Sequence, residues 1–249
     1  MEPIFSYAFK DAVSETSTTA EFREFFAQIF ASDDAFMRQL DKVEAHQYPR
    51  FDKHQRPGTL VFKTTRYHDL LSAMLSAVPE LKLVSIVRNP CAVINSWLRT
   101  SSEFPEGADP MIEWRTGSCR NDRPEEFWGF NDWKYVTLLH HSLWDEYPDR
   151  FKIIRYETLL GRPIEVTQGL FTFCDLELTK ESMEFIDDSN ARHDDRPYAV
   201  FKSKSVADRW KKELPGWIAD EIHADLAGTE LECYLTPAND LLNAGEIVQ

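Results

Sequence analysis

The residues best suited to chemistry lie at one predicted strand-to-helix junction, Val87-Arg88-Asn89-Pro90, with Ser96 following on the helix. Asn89 is a favourable N-cap and Pro90 suits the first helical position. Backbone N–H groups and the positive end of the helix dipole attract an anion at such a start. Arg88 adds a fork that fits two phosphate oxygens, and Ser96 can donate one further hydrogen bond. The junction predicts a phosphate site. In the alternative interpretation, Arg88 only closes a loop and Ser96 only fills a small space.

Three other segments place cations or an aromatic ring in comparable positions. One predicted strand ends Phe62-Lys63-Thr64-Thr65-Arg66, another ends Arg155-Tyr156-Glu157, and Lys202-Ser203-Lys204-Ser205 precedes Arg209-Trp210-Lys211. Ligands of open α/β sheets bind at the carboxyl ends of the strands, so we expect these groups to meet at one edge. Several cations and one ring suit a ligand that carries several phosphates and a base.

Composition limits the class of protein. The chain has 249 residues, 42 acidic side chains against 28 Lys and Arg, and a net charge of -14. Its 43% hydrophobic and 28% charged residues are ordinary for a globular protein. The negative balance argues against general nucleic-acid binding. With no apolar run of the roughly 18–20 residues that a membrane span needs, and no signal peptide, a cytoplasmic location is expected.

Common alternative sites find little support in the sequence. It contains no GxSxG, HExxH or GxGxxG motif. His140 and His141 are adjacent in a predicted helix and point in different directions, so a surface position is favoured over a metal site. Four separated cysteines without a CxxC pair argue against a zinc site and favour reduced thiols, with one bridge such as Cys119–Cys174 left open. Aromatic residues that could pack in the core or stack on a substrate are Trp114, Phe127, Trp128, Phe130 and Trp133.

Alternating strands and helices must position the candidate groups. Runs rich in β-branched residues predict strands over 60–65, 82–88 and 151–157. Helices are predicted over about 19–31, 70–78, 126–146, 163–173 and 216–227, besides the one that starts at Pro90. The fold class is therefore α/β, a parallel sheet covered by helices on both faces, in one domain over 1–249. The polar stretch 187–205 is predicted to be a surface loop, with a lid over the site as the alternative.

The segment from Lys63-Thr64-Thr65-Arg66 through Pro79 to Trp97 resembles the sulfotransferase family, and more closely its carbohydrate branch, whose members use 3′-phosphoadenylyl sulfate (PAPS). The resemblance extends from about Glu2 to Leu235 and implies a sulfotransferase fold of the P-loop NTPase-like type. It implies that Arg88 and Ser96 bind the 3′-phosphate of the donor and that Tyr156 lies near the adenine. Lys204-Ser205 match the late basic loop, where many relatives have Gly in place of Ser205.

The same resemblance implies transfer of a sulfuryl group from PAPS to a hydroxyl of a glycan or small molecule, without a metal. Lys63 matches the lysine that relatives place at this strand end, and we assign it to the leaving group. Some relatives have a catalytic His where this chain has Thr65. Several glycan-modifying relatives use a Glu that Glu2 matches, with His68 as a weaker alternative base. The expected partners are the nucleotide donor and the acceptor, with no nucleic acid or membrane; a homo-oligomer or a partner chain is left open.

One element that the resemblance implies is missing from the sequence. The family opens with a strand, a phosphate loop of the Lys-Ser-Gly-Thr-Thr or Arg-Ser-Gly-Ser-Ser type, and a helix. None of the nine glycines lies in such a loop, and residues 1–4 resemble an element that follows the first helix. The alternatives are a fragment or unusual gene start, a loop supplied by another chain, or a non-catalytic nucleotide-binding or interaction protein. A nucleotide kinase would need the same loop and is disfavoured.

Overall fold

A computed structural model describes residues 12–35, 40–45, 58–101, 103–123, 125–191 and 204–236, and only the backbone of 42–43, 190–191 and 204–205. These residues fall into two compact units, each with its own hydrophobic core. The first comprises the residues before Leu83 together with Glu125 and Glu126, and the second comprises Leu83–Arg123 and the chain from Phe127 onward. One domain over 1–249 stays a prediction.

The first unit is helical. It contains α1 (Thr19–Ala31), α2 (Leu40–Glu44) and α3 (Leu70–Ala77), so the predicted helices over 19–31 and 70–78 are confirmed. A capping box starts α1, because Thr18 Oγ1 accepts from the Glu21 N–H at 3.3 Å and Glu21 Oε2 accepts from the Thr18 N–H at 2.6 Å. The apolar faces of α1 and α3 form a core with Val13, Phe22, Phe25, Ile29, Leu70, Met74 and Val78.

The prediction of a strand over 60–65 is wrong, because this segment is irregular and pairs with no strand in the described part of the chain. Leu60 and Phe62 pack against the first core, and the Phe62 ring centroid lies 5.6 Å from that of Phe26. Val61, which lies between these two residues, and Lys63, which follows them, are exposed. Apolar and polar residues therefore alternate in this segment because one of its sides packs against the first core. A strand would also need a partner, which this pattern does not supply.

The second unit is α/β, as predicted. Its strands are β1 (Leu83–Val87) and β2 (Phe151–Arg155). Its α-helices are α4 (Pro90–Arg99), α5 (Pro110–Thr116), α6 (Gly129–Glu146), α7 (Tyr156–Gly161), α8 (Pro163–Phe173), α9 (Lys180–Ala191), α10 (Trp210–Glu213) and α11 (Gly216–Leu226), with 3-10 helices at Lys204–Ala207 and Glu230–Leu235.

The two strands pair in parallel, with Leu83 opposite Phe151 and Val87 opposite Arg155. This register brings the carboxyl ends of β1 and β2 to the same edge. Val84 and Ile86 lie on one face of β1, and they are 36% and 55% exposed. The sheet is flanked by helices as predicted, although no described helix covers Val84 and Ile86 of β1.

Helix α6 packs on the buried face of the sheet. Ser85 Oγ of β1 and His140 Nδ1 of α6 lie 2.7 Å apart and both residues are buried. The predicted surface position is therefore wrong for His140. His141 points elsewhere, with Nε2 at 2.9 Å from Tyr234 Oη. The two rings diverge as their adjacent helix positions predict, and each has a structural hydrogen bond.

Two further predictions can be compared with the structure. Residues 187–191 belong to α9, so the predicted loop over 187–205 is wrong at its start. The stretch 192–203 lies outside the described residues. All four cysteines are described and none forms a disulfide, so the Cys119–Cys174 bridge is not formed. Among the described residues, no helix is long and apolar enough to cross a membrane, and no cluster of His, Cys, Asp and Glu could hold a metal ion.

An ion-pair cluster joins α5, α6 and α11 in the second unit. Asp225 Oδ2 lies 2.7 Å from Arg115 Nη1, and Asp225 Oδ1 lies 2.7 Å from Lys134 Nζ. Burial raises the pKa of Asp225, but the hydrogen bonds from Lys134 and Arg115 outweigh it and leave that pKa below its ordinary value. The carboxylate therefore stabilises the fold in its ionised form.

Replacing Asp225 by Asn is expected to lower the free energy of unfolding at pH 7 by about 1–2 kcal/mol, since it removes the negative charge from one partly exposed hydrogen bond and places an NH2 group against the second cation. Because the folded-state pKa lies below the unfolded one, this stabilisation is full above the unfolded pKa and is lost as pH falls through the folded pKa. Urea unfolding of D225N and wild type should thus differ at pH 7 and converge as the pH falls below about 4. A constant difference across this range would contradict the assignment.

Candidate active site

The site is built where β1 and β2 end. Val87 pairs with Arg155, so the next residues, Arg88 and Tyr156, lie side by side. The guanidinium carbon of Arg88 is 4.8 Å from the centroid of the Tyr156 ring, within range of a cation–π interaction. Both side chains are half-buried. The structure therefore brings together the cation and the ring that the sequence predicted for one edge.

With the described residues, Arg88 makes one hydrogen bond through its side chain and one through its backbone carbonyl. Its Nη2 donates to the carbonyl of Val206 at 2.9 Å, and its own carbonyl accepts from Trp133 Nε1 at 3.2 Å. Its Nε is buried and has no hydrogen-bond partner among the described residues. Burial lowers the pKa of Arg88, while Tyr156 and Glu157 raise it. An arginine stays protonated at neutral pH, so a fixed positive charge with an unused donor faces this corner.

Asn89 caps α4 as predicted, but the N–H groups at this helix start are not free. Asn89 Oδ1 accepts from the N–H groups of Cys91 and Ala92 at 2.9 and 3.3 Å. The N–H of Asn89 donates to Glu157 Oε1 at 3.0 Å, and Pro90 has none. The expectation that free N–H groups would bind the anion is therefore wrong. The helix dipole and the Arg88 guanidinium remain as sources of positive potential.

Ser96 lies on the solvent side of α4. It is exposed, whereas Asn95 and Trp97 on either side are buried. Its hydroxyl makes no hydrogen bond to any described residue. Ser96 follows Asn89 by seven positions, which puts both on one helix face about 10 Å apart along the axis. That Arg88 and Ser96 bind the same phosphate stays a prediction.

Tyr156 is a half-buried ring with the Arg88 guanidinium over one of its faces. Burial raises its pKa, Arg88 lowers it and Glu157 raises it, with a net shift upward. The phenol is therefore neutral at physiological pH and can act as a stacking surface. Its predicted contact with adenine stays a prediction.

The late basic segment reaches the same corner through its backbone. The 3-10 helix Lys204–Ala207 contributes the Val206 carbonyl that Arg88 binds. The side chains of Lys204 and Ser205 lie outside the described residues. Two cations that follow are paired, since Lys211 Nζ lies 2.6 Å from Asp208 Oδ1 and Arg209 Nε lies 4.0 Å from Glu213 Oε1.

Of the two predicted catalytic residues, the structure describes Lys63, which belongs to the first unit. Lys63 is exposed and precedes a turn in which Thr64 Oγ1 donates to the Arg66 carbonyl at 2.8 Å. Arg66 Nε lies 2.8 Å from Glu126 Oε1, so this second predicted strand-end cation is ion-paired. His68, the weaker candidate base, is half-buried. Glu2 lies outside the described residues.

The aromatic cluster is mainly core. Trp114 and Phe130 are almost completely buried and their ring centroids lie 6.0 Å apart. Trp133 packs against the same core and donates to the Arg88 carbonyl. The core interpretation is confirmed for these three. Sequence reasoning missed the contact of Trp133 with Arg88, and the only signal for it was that α6 must pack close to the sheet.

Comparison with known proteins adds independent evidence. A profile of the sulfotransferase family matches residues 6–180. Carbohydrate sulfotransferase 5 of Mus musculus is 27% identical over 183 residues, which cover 63% of this chain and 42% of the relative. Carbohydrate sulfotransferase 3 of Tetronarce californica is 24% identical over 154 residues, 56% of this chain and 32% of the relative.

The chain thus spans less than half the length of both relatives. No solved structure gives a significant match. The family profile covers well over half of the chain and includes β1, α4 and β2, which build the corner around Arg88. On this match, the chain belongs to the sulfotransferase family.

Proposed function

We propose that this protein is a PAPS-dependent sulfotransferase, in which the corner around Arg88 binds the 3′-phosphate of the donor. The observation that carries the proposal is the Arg88 guanidinium, held between the Tyr156 ring and the Val206 carbonyl at the carboxyl ends of two parallel strands. Ligands of α/β sheets bind at such ends. Family membership supports sulfuryl transfer as the reaction class.

The corner has the chemistry that a phosphorylated adenosine needs. Arg88 supplies a charge and a buried Nε without a partner in the described part of the chain, which a phosphate oxygen would satisfy. Tyr156 supplies an aromatic ring beside Arg88, which we assign to the adenine base. Ser96 supplies an exposed hydroxyl two turns into α4. We assign Lys204 and Ser205 to the same phosphate through the position of their segment beside Arg88.

The acceptor is a hydroxyl, which we place on a glycan because both named relatives are carbohydrate sulfotransferases. In the reaction the acceptor oxygen bonds to sulfur, and the bond from sulfur to the 5′-phosphate oxygen breaks. The acceptor proton passes to a base, and 3′-phosphoadenosine 5′-phosphate leaves. We assign Glu2 as the base and Lys63 as the cation on the leaving group. Positioning and charge would supply most of the catalysis, as in phosphoryl transfer.

Two measurements on the wild-type chain test the proposal. Titration calorimetry should show that 3′-phosphoadenosine 5′-phosphate binds more tightly than adenosine 5′-monophosphate, which lacks the phosphate assigned to Arg88. Incubation with PAPS carrying radioactive sulfur should then transfer label to a neutral oligosaccharide acceptor. Equal affinity for the two nucleotides would contradict the assigned phosphate site. Tight binding without transfer to any hydroxyl acceptor would contradict the enzymatic proposal and favour a nucleotide-binding protein.

A further inference from the structure

Two helices of this chain begin with related caps that are completed in different ways. At α1, Glu21 lies three positions after the N-cap Thr18, and its carboxylate accepts the N–H of Thr18 at 2.6 Å. At α4 the corresponding position after Asn89 is Ala92, which has no acceptor in its side chain. Asn89 Oδ1 accepts from Ala92 at 3.3 Å, so the local half of the box is present. Its other half must come from elsewhere.

Glu157 supplies that missing half from a different segment. Its Oε1 accepts the N–H of Asn89 at 3.0 Å, across a separation of 68 residues in the chain. Glu157 lies in the first turn of α7, directly after Tyr156 and two positions after the end of β2. The capping box of α4 is therefore shared between two strand ends, and the bond joins them just beyond their last ladder pair, Val87 and Arg155.

This shared cap encloses the two residues assigned to the nucleotide. Arg88 lies between Val87 and Asn89, and Tyr156 lies between Arg155 and Glu157. The ladder fixes one side of this pair and the bond from Asn89 to Glu157 fixes the other. The backbone of both residues is thus fixed on either side of the point where the guanidinium lies 4.8 Å from the ring centroid.

The second oxygen of Glu157 is also informative. Oε2 is buried and has no hydrogen-bond partner among the described residues. A buried carboxylate oxygen without a partner costs folding free energy. Its charge also acts on Arg88, since Glu157 raises the pKa of the guanidinium. Of the two carboxylate oxygens, only Oε1 thus bonds to a described residue, and that bond is the one from the Asn89 N–H.

We propose that Glu157 is a positioning residue of the nucleotide site, which holds Arg88 in place through the N–H of Asn89. The inference rests on the proposed function, because it takes Arg88 as the group that binds the 3′-phosphate. Glu157 itself touches no atom of the donor in this assignment. Its loss should act on the part of the affinity that depends on the 3′-phosphate.

The test compares three variants by calorimetry with 3′-phosphoadenosine 5′-phosphate and adenosine 5′-monophosphate. Glu157→Ala should weaken binding of the first nucleotide about tenfold, the loss expected for one displaced charge-assisted bond, and the second less than about threefold. Glu157→Gln keeps an oxygen for the Asn89 N–H and should recover most of the affinity. Glu21→Ala breaks the local capping box of α1 and should change neither affinity.

Hydrogen exchange of the nucleotide-free protein tests the hydrogen bond from the Asn89 N–H to Glu157 directly. In Glu157→Ala the backbone N–H of Asn89 should exchange at least about tenfold faster than in wild type. In Glu157→Gln it should exchange at close to the wild-type rate. Unchanged exchange, equal losses for both nucleotides, or no recovery in Glu157→Gln would overturn the inference. If wild type binds neither nucleotide, the proposed function fails instead. If wild type binds and Glu157→Ala binds equally well, the positioning role alone is wrong.

Discussion

Replacing Arg88 by alanine is expected to weaken binding of 3′-phosphoadenosine 5′-phosphate at least about tenfold, while the circular dichroism spectrum stays that of wild type. Each charge-assisted hydrogen bond to a phosphate contributes about 1.5–3 kcal/mol, so loss of a bidentate pair would exceed about a hundredfold. Among the described residues, the side chain makes one hydrogen bond, to the Val206 carbonyl, and one ring contact, to Tyr156. The fold should therefore tolerate the change better than the ligand does. Calorimetry at constant salt measures the effect.

A matched control is available on the adjoining helix. Arg99 ends α4, is exposed, and lies 3.2 Å from Glu213. Arg99→Ala removes the same charge from the chain and should leave nucleotide affinity unchanged. Arg88→Lys keeps the charge but loses the planar fork, and its affinity should lie between wild type and Arg88→Ala. Wild-type affinity in Arg88→Ala would remove this residue from the site.

The helices were predictable because their signals are local. The N-cap Asn89 with Pro90, and the periodic apolar residues of α1 and α8, depend only on neighbours within a few positions. The prediction of a strand over 60–65 was wrong because a strand must pair with another strand, which is usually distant in sequence. The segment has strand-like alternation, but its apolar side rests on a helical core. The exposed face of β1 was missed for a related reason, since periodicity does not show what packs on a surface.

The site was predictable in its side chains and not in its backbone contacts. The carboxyl ends of parallel strands meet at one edge, so the sequence placed Arg88 and Tyr156 at the same edge, and the observed pairing of β1 with β2 makes them neighbours. The Val206 carbonyl, 118 positions from Arg88, has no signature in the sequence, since every residue carries such an oxygen. The bond from Asn89 to Glu157 was missed likewise. Free N–H groups were expected at α4, but the predicted N-cap Asn89 itself accepts those of Cys91 and Ala92, and only the acceptor of its own N–H, Glu157, is distant in sequence.

Replacing Lys63 by alanine is expected to reduce kcat about a hundredfold or more, with donor affinity changed less than about threefold. The assigned partner of its ammonium is the oxygen that leaves sulfur, and negative charge builds on this oxygen only as the bond breaks. A cation placed there lowers the barrier more than it stabilises the bound donor. Lys63 is exposed and precedes a turn held by the hydrogen bond from Thr64 to the Arg66 carbonyl, so its removal leaves no buried cavity.

The split between kcat and affinity separates catalysis from simple binding. Initial rates of label transfer from PAPS give kcat, and calorimetry with 3′-phosphoadenosine 5′-phosphate gives affinity. Lys180→Ala removes an exposed lysine whose Nζ lies 3.3 Å from Glu184 on α9, and it should leave both quantities unchanged. Lys63→Arg should recover part of kcat, because the charge is kept while its position shifts. A loss of affinity with kcat unchanged would make Lys63 a simple binding residue, since a group that stabilises ground and transition states equally does not raise kcat.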